Sequence, residues 1–251
     1  MAARLTNRSG KGLFAFLVLF CLLPLAALCA QGQIPVTSCG THITQPGDYI
    51  LANDLTDCAP IGIEIDANMT LNLNGHNISG SGGLTGIDAN AKYVITITGP
   101  GTVSAFHVGI DIHIGDEGTV QVTNVQAQGN SVGFAVSAPA RAVLHGNTAI
   151  GSSTSGFEIE SVGNDLRDNT ASNNATGIFL SRHGAEHNLI VHNTTNGNAY
   201  GIEAQGSDNF MVSNTALNNQ TYDLYDGGNG EHCRNRWFDN TFHTSDRDCI
   251  H

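Results

Sequence analysis

The stretch GIEAQGSDNFMVSNTALNN, residues 201–219, decides the fold, because nearly the same phrase stands twice before it. GIFLSRHGAEHNLIVHNTTN begins at Gly177, and GFEIESVGNDLRDNTASNN begins at Gly156. A core assembled from unlike elements has no use for repetition, whereas a stack of equal layers requires it. Registering the chain on Gly followed by a large apolar residue gives starts at Gly62, Gly86, Gly109, Gly133, Gly156, Gly177 and Gly201, with a degenerate eighth at Asp223-Leu224. The intervals are 24, 23, 24, 23, 21, 24 and 22 residues.

Each interval holds three short alternating segments with polar corners between them, too short for a pair of helices. The fixed leucines of a leucine-rich repeat are missing. Three strands and three turns in one interval make one coil of a parallel β-helix. Coils stacked ~4.8 Å apart pair every strand with its neighbours above and below, and eight coils give a rod of roughly 35–40 Å. The expected architecture is all-β: one domain, a parallel β-helix of about eight coils, with coils over 62–230 and caps over 31–61 and 231–251.

Corner chemistry agrees. Asn recurs five residues apart at Asn164/Asn169, Asn188/Asn193, Asn209/Asn214 and Asn235/Asn240. Asn tolerates left-handed turns, and identical Asn on successive coils can hydrogen-bond into a ladder. Trp237, Phe238 and Phe242 are expected to cover the open bore at the C-terminal end, where bare strand edges would otherwise invite aggregation.

The N-terminus is of another kind. Arg4, Arg8 and Lys11 precede an unbroken apolar run from Leu13 to Ala30. That order reads as a secretory signal over residues 1–30, cut after Ala30. The run is also just long enough to anchor in a bilayer if it stays. The 22 acidic residues face ten basic ones, three of which leave with the signal, so the mature charge is 7 − 22 = −15. Such a surface repels nucleic acid and anionic lipid. It accepts cations, neutral polymers, or acidic polymers through a bridging cation. No nucleic-acid partner is expected, nor a membrane once the signal is removed, and the chain is expected to be a monomer.

Cys21 and Cys29 fall inside the signal, leaving Cys39, Cys58, Cys233 and Cys249 as two close pairs at the ends of the mature chain. Export favours disulfides Cys39–Cys58 and Cys233–Cys249 and a secreted or periplasmic location. No Cys/His spacing suggests a zinc site.

Two passages carry a family resemblance. TSCGTHITQPGDYILANDLTDC (37–58), continued by GIEIDANMTLNLNGHNISG (62–80), resembles the entry region of bacterial exported right-handed parallel β-helix repeat proteins. CRNRWFDNTFHTSDRDCI (233–250) resembles their C-terminal closure. The resemblance spans residues 37–251 and implies the right-handed coil of pectin-lyase-like and carbohydrate-binding or sugar-hydrolase domains. It carries no single activity, since that superfamily includes lyases, hydrolases, epimerases and proteins without catalysis. It does imply polysaccharide as the partner class.

Strand side chains alternate faces, so the residue after each Gly points into the bore and the next points out. The first outward column reads Glu64, Asp88, Asp111, Ala135, Glu158, Phe179, Glu203, Tyr225. The second reads Asp66, Asn90, His113, Ser137, Glu160, Ser181, Gln205. Like charges directly opposed across strands destabilise a sheet, so the carboxylates call for a cation, raised pKa values or a neighbouring base. Asp111 with His113, or Glu158 and Glu160 with Arg182, could supply acid, base and charge stabilisation for the enzymatic alternative, glycoside hydrolysis or uronate lyase/epimerase chemistry. Glu64, Asp66, Asp88 and Glu203 could line a binding face, and the Phe179 and Tyr225 rings could stack on sugars. No cofactor is required, although oxygen ligands in this pattern could take Ca²⁺. The plain alternative is a solvated acidic face that keeps a rod soluble.

Polygalacturonase-like and alginate-epimerase signatures are absent, and the outward columns hold no Lys or Arg to act as a lyase base. Some relatives of this fold are periplasmic copper-associated proteins, which directs attention to His183, His187 and His192. Those three span a turn, a strand and a corner, and no periodicity gathers them on one face. Coils without long inserted loops favour binding over catalysis.

Overall fold

The repeat glycine sits where no β-carbon fits. In the computed structural model a β-carbon on Gly133 would lie 2.5 Å from the Gly156 carbonyl oxygen, and one on Gly156 would lie 2.7 Å from that of Gly177. None of these corner glycines has positive φ. They are required by close approach of the neighbouring coil, not by backbone conformation. Sequence periodicity at Gly is therefore the footprint of coil-on-coil contact.

The structure describes residues 32–113, 115, 118–137, 141–227 and 232–251. The signal segment expected over residues 1–30 lies outside them. Gly32–His251 forms one compact unit, all-β and without helix among the described residues. Every paired strand is parallel, and each coil contributes one strand to each of three ribbons. The protein is a right-handed parallel β-helix of about eight turns.

One ribbon is the ten-stranded sheet that runs from Ile34–Val36 to Arg236–Phe238. A second, narrow ribbon includes Gln126–Gln128, Thr148–Ile150, Thr170–Ser172 and Thr194–Asn196. The third, called here the face ribbon, includes Ile61–Ile65, Val132–Val136, Ser155–Ile159, Thr176–Leu180, Tyr200–Ala204 and Tyr222–Asp226. Stacking already begins within residues 31–61, since Thr41–Ile43 pairs with Ile61–Ile65.

The bore is apolar throughout. Ile63, Ile87, Ile110, Phe134, Phe157, Ile178, Ile202 and Leu224, each following a corner position, are fully buried. Phe134 and Phe157 stack face to face at 4.8 Å, the spacing of the coils themselves. Each such side chain contributes about 1.5–3 kcal/mol on burial.

Asparagine ladders run up the corners. From Asn164 through Asn188 and Asn209 to Asn235, each amide N–H donates to the next Asn carbonyl oxygen at 2.9 Å. A second ladder runs from Asn147 through Asn169, Asn193 and Asn214 to Asn240 in the same way at 3.0–3.2 Å. A ladder of donors needs an acceptor at its end. Buried Asp226 takes that role for Asn235, accepting from its Nδ2 at 3.2 Å and from Trp237 Nε1 at 3.0 Å. Asp223, standing in the degenerate eighth repeat, ends a third ladder by accepting from Asn219 Nδ2 at 2.8 Å. Asp can replace Gly there because the regular stack ends.

Disulfides Cys39–Cys58 and Cys233–Cys249 close the two ends, with Cα–Cα distances of 5.3 and 6.0 Å. The C-terminal cover differs from expectation in one residue. Trp237 is buried and Phe242 packs against the core, but Phe238 is 50% exposed. Strand alternation that turns Trp237 inward turns Phe238 outward, and Ile250 contributes buried cover instead.

Candidate binding face

The expected outward column is a true register column. Backbone pairing joins Glu64 to Asp88, Asp88 to Asp111, Asp111 to Ala135, Ala135 to Glu158, Glu158 to Phe179, Phe179 to Glu203 and Glu203 to Tyr225. Between the two columns, Ile65, Ala89, Ile112, Val136, Ile159, Leu180 and Ala204 are fully buried. The face thus presents carboxylates through its first half, a small-residue rung at Ala135 and Ser137, and carboxylates mixed with aromatics beyond.

Charge on the face is managed pair by pair. His113 Nε2 hydrogen-bonds Asp88 Oδ1 across adjacent coils. That bond raises the His113 pKa against the opposing effect of burial, with the Asp88, Asp111 and Asp66 charges adding to it. Asp111 is raised by burial first, then by Asp88 and Glu160, although His113 pulls it back. Glu158 is raised by burial and by the Glu160 charge. The carboxyls on either side of the Ala135 rung are thus both raised, with burial the main cause.

Asp66 goes the other way. Burial pushes its carboxyl up, but hydrogen bonds from His42 and Asn90 outweigh this and hold it below the ordinary value. His42 Nε2 lies 2.8 Å from Asp66 Oδ2, and Asn90 Nδ2 donates to Asp66 Oδ1 at 2.7 Å. Glu64 Oε2 is 4.0 Å from His42 Nδ1. One donor atom from each of His42, Glu64 and Asp66 can be chosen so that all lie within 4.8 Å of one another. Among the described residues no other group of three His, Cys, Asp or Glu has this closeness.

Sequence reasoning missed His42 because its repeat reads Gly40-Thr41, with Thr where the register rule asks for a large apolar residue. Its backbone pairs directly with Glu64, one rung below the column as read from sequence. The period supplied the signal: His42 precedes Glu64 by 22 residues.

Arg182 does not converge with Glu158 and Glu160. Its Nε and Nη2 donate to Gln205 Oε1 at 3.2 and 3.0 Å, one coil on, and Gln205 Nε2 donates to Glu203 Oε1 at 2.6 Å. The guanidinium thus reaches Glu203 through an amide. Ser181, expected on the outer surface, is buried, and its hydroxyl accepts from the His183 N–H. His187 and His192 occupy left-handed corner positions, with φ of 54° and 55°, and His192 faces Asp168 at 3.8 Å. The three histidines of that segment form no shared donor set among the described residues.

At the C-terminal end of the face the aromatic rings gather. Tyr225 lies 5.7 Å from Tyr200 and 5.8 Å from Tyr222 between ring centroids, and Tyr200 and Tyr222 are 6.5 Å apart.

Against known proteins, residues 36–247 match the family described as periplasmic copper-binding protein (NosD). The chain belongs to the NosD family. That match spans most of the β-helix, and the family's periplasmic character agrees with the secreted or periplasmic location expected from the cysteines. No curated protein and no solved structure matches the chain.

The family description raises the question of copper. Cys39, Cys58, Cys233 and Cys249 are paired in disulfides, and Met69 and Met211 are buried, so soft ligands for Cu(I) are missing from the described surface. The imidazole and carboxylates of His42, Glu64 and Asp66 suit Cu(II) or another divalent ion.

Proposed function

We propose that this envelope protein is a non-catalytic binding rod that engages polysaccharide along the face ribbon. The observation that carries this reading is the single straight register column from Glu64 to Tyr225, which sets hydrogen-bonding carboxylates and aromatic rings on successive rungs. Repeating rungs suit a repeating ligand, with carboxylates accepting from sugar hydroxyls and Phe179 and Tyr225 offering apolar faces.

Absence of turnover is argued from the partners of the candidate groups. Asp88 is engaged by His113, Glu203 by Gln205, and Arg182 by Gln205. Asp111 and Glu158 stand two coils apart, ~9–10 Å along the stack. That separation approaches the range of inverting glycosidases, and hydrolysis across the Ala135 rung is the alternative.

The test is a panel of neutral and uronic-acid polysaccharides offered to residues 31–251 with and without Ca²⁺, recording binding and new reducing ends or unsaturated products together. Binding without products is expected. Products that disappear when Glu158, Glu160 and Arg182 are changed to Ala would replace this reading with an enzymatic one.

A second reading has its own observation. His42, Glu64 and Asp66 offer one nitrogen and two carboxylates in reach of one ion. Under it the N-terminal end of the face holds a divalent cation, copper being the metal named by the family description. Bound there, the ion would neutralise Glu64 and Asp66 and offer a charged anchor to an anionic ligand.

A further inference from the structure

The last two coils of the face ribbon build a rectangle of side chains that no earlier rung repeats. Tyr200 and Glu203 stand on one coil. Tyr222 pairs with Tyr200, and Tyr225 with Glu203, on the coil above. Three corners are aromatic and the fourth is a carboxylate. The positions below Tyr200 in its column are Thr176, Ser155 and Val132, so the arrangement is local to this end.

The rings are inclined to one another. Tyr200 meets Tyr225 at 69°, Tyr200 meets Tyr222 at 40°, and Tyr222 meets Tyr225 at 31°. All three are partly exposed. Tyr200 meets Tyr225 edge-on, and the other two pairs are tilted, so the three rings form one contiguous cluster. A partly exposed cluster of aromatic rings one register position from a carboxylate is the residue set that receives an organic ammonium group.

The charges around the rectangle have the right sign. Glu203 pairs in register with Tyr225 and accepts from Gln205 Nε2 at 2.6 Å and Thr176 Oγ1 at 3.3 Å. Asp246 and Glu203 both act electrostatically on the Tyr225 hydroxyl. Arg247 also lies in range of Tyr225, but its Nε donates to the Asp226 carbonyl oxygen at 2.7 Å and sits 3.3 Å from Asp246 Oδ2. The Asp246–Arg247 pair thus offsets itself, which leaves Glu203 as the acid in register with the cluster.

We propose that Tyr200, Tyr222, Tyr225 and Glu203 form a binding site for an organic ammonium group, carried either by an amino sugar or by a quaternary-ammonium headgroup. The site does not rest on the polysaccharide reading, because a small ammonium compound suffices to occupy it.

The experiment titrates residues 31–251 with choline, with the neutral isostere of choline that has carbon in place of nitrogen, with glucosamine and with glucose, by calorimetry and saturation-transfer NMR at matched ionic strength. At least one ammonium compound is expected to bind about tenfold more tightly than its neutral partner. Choline alone points to a headgroup, glucosamine alone to an amino sugar, and either result supports the site. Tyr200→Leu and Tyr225→Leu should each weaken the preferred ligand about fivefold or more, while the Tyr→Phe changes keep it, because the π face is retained. Glu203→Gln should weaken ammonium binding and leave neutral sugars unaffected. Circular dichroism shows that each variant is folded. Failure of both ammonium compounds to bind more tightly than their neutral partners, or full binding by the folded Tyr→Leu variants, would overturn the assignment.

Discussion

A β-carbon on Gly177 would stand 2.5 Å from the carbonyl oxygen of Gly201, its neighbour on the next coil, and 2.9 Å from the Asn198 side-chain nitrogen. Both contacts are closer than β-carbons come to other atoms, Asn198 is fixed by ladder hydrogen bonds, and Gly201 is backbone in the neighbouring paired strand. Gly177→Ala must therefore push two coils apart. We expect a loss of about 3 kcal/mol, in the range of overpacked cores. Gly151 has φ of 69° and nothing within 4 Å of a β-carbon, so Gly151→Ala should cost only the left-handed penalty, about 1 kcal/mol. Urea midpoints measure both. Equal losses would sink the close-approach account of the repeat.

Asn193 is donor and acceptor in one ladder. Its Nδ2 donates to Asn214 Oδ1 and to the Leu166 carbonyl oxygen, each at 3.0 Å, while its Oδ1 accepts from Asn169. In Asn193→Asp a carboxylate oxygen would face two acceptors in a fully buried site. Loss should exceed that of Asn193→Ala, at about 3–5 kcal/mol against about 2. Lowering the pH should restore part of it by protonating the new acid. No recovery in acid urea titrations would contradict the ladder's polarity.

The pH dependence follows from five groups. His113 is raised by its bond to Asp88, so its contribution is complete below the unfolded imidazole pKa and lost as pH rises through the raised value. Asp111 and Glu158 are raised by burial, so the folded chain retains their protons and gains stability as pH falls through their raised values. Asp66 and Asp223 are also opposed by burial, yet hydrogen bonds hold them low. Their contribution is present above the unfolded carboxylate pKa and lost as pH falls through the lowered values. Melting temperature should therefore peak in mild acid, higher near about pH 5 than about pH 8. His113→Gln should flatten the neutral side of the profile, and Asp111→Asn the carboxylate part. A wild-type protein that melts higher at the alkaline end would refute this assignment.

Divalent binding should depend on the lower end of the face. His42→Ala and Asp66→Asn are each expected to weaken Cu(II) about tenfold in a calorimetric titration, since each removes one of three donors. Glu160→Gln, several coils away, should not. If all three variants bind alike, the ion resides elsewhere.

Each end is stapled across a short span. Cys233 and Cys249 close a separation of 16 residues beside Trp237 and the ladder-ending Asp226. Replacing both with Ala should cost about 3 kcal/mol. Hydrogen exchange should show the loss first in the last coils, because a solenoid's neighbours stabilise one another in sequence. Uniform opening along the rod would be the opposite result.

Much of the face was legible before any coordinate. Strand alternation has a period of two and the coil a period of about 23 residues, so Asp88 above Glu64 and Tyr225 above Glu203 follow from counting alone. Phe238 shows where counting was set aside: it was grouped with Trp237 by chemistry, although its place in the strand sends it to solvent. His42 was lost for the reverse reason, since its coil keeps the spacing but not the apolar marker.

Sequence by itself determined the coil, the register, the buried columns and the two disulfides, because all of these repeat or fall at the ends of something that repeats. Tertiary structure alone decided which side chains meet. Arg182 turns to Gln205 and not to Glu160, His113 chooses Asp88, and three tyrosines from two coils gather into one cluster in register with Glu203. The first two choices and the clustering of the three rings depend on rotamers and corner geometry in side chains longer than the gap between coils, and a periodic pattern carries no information about them.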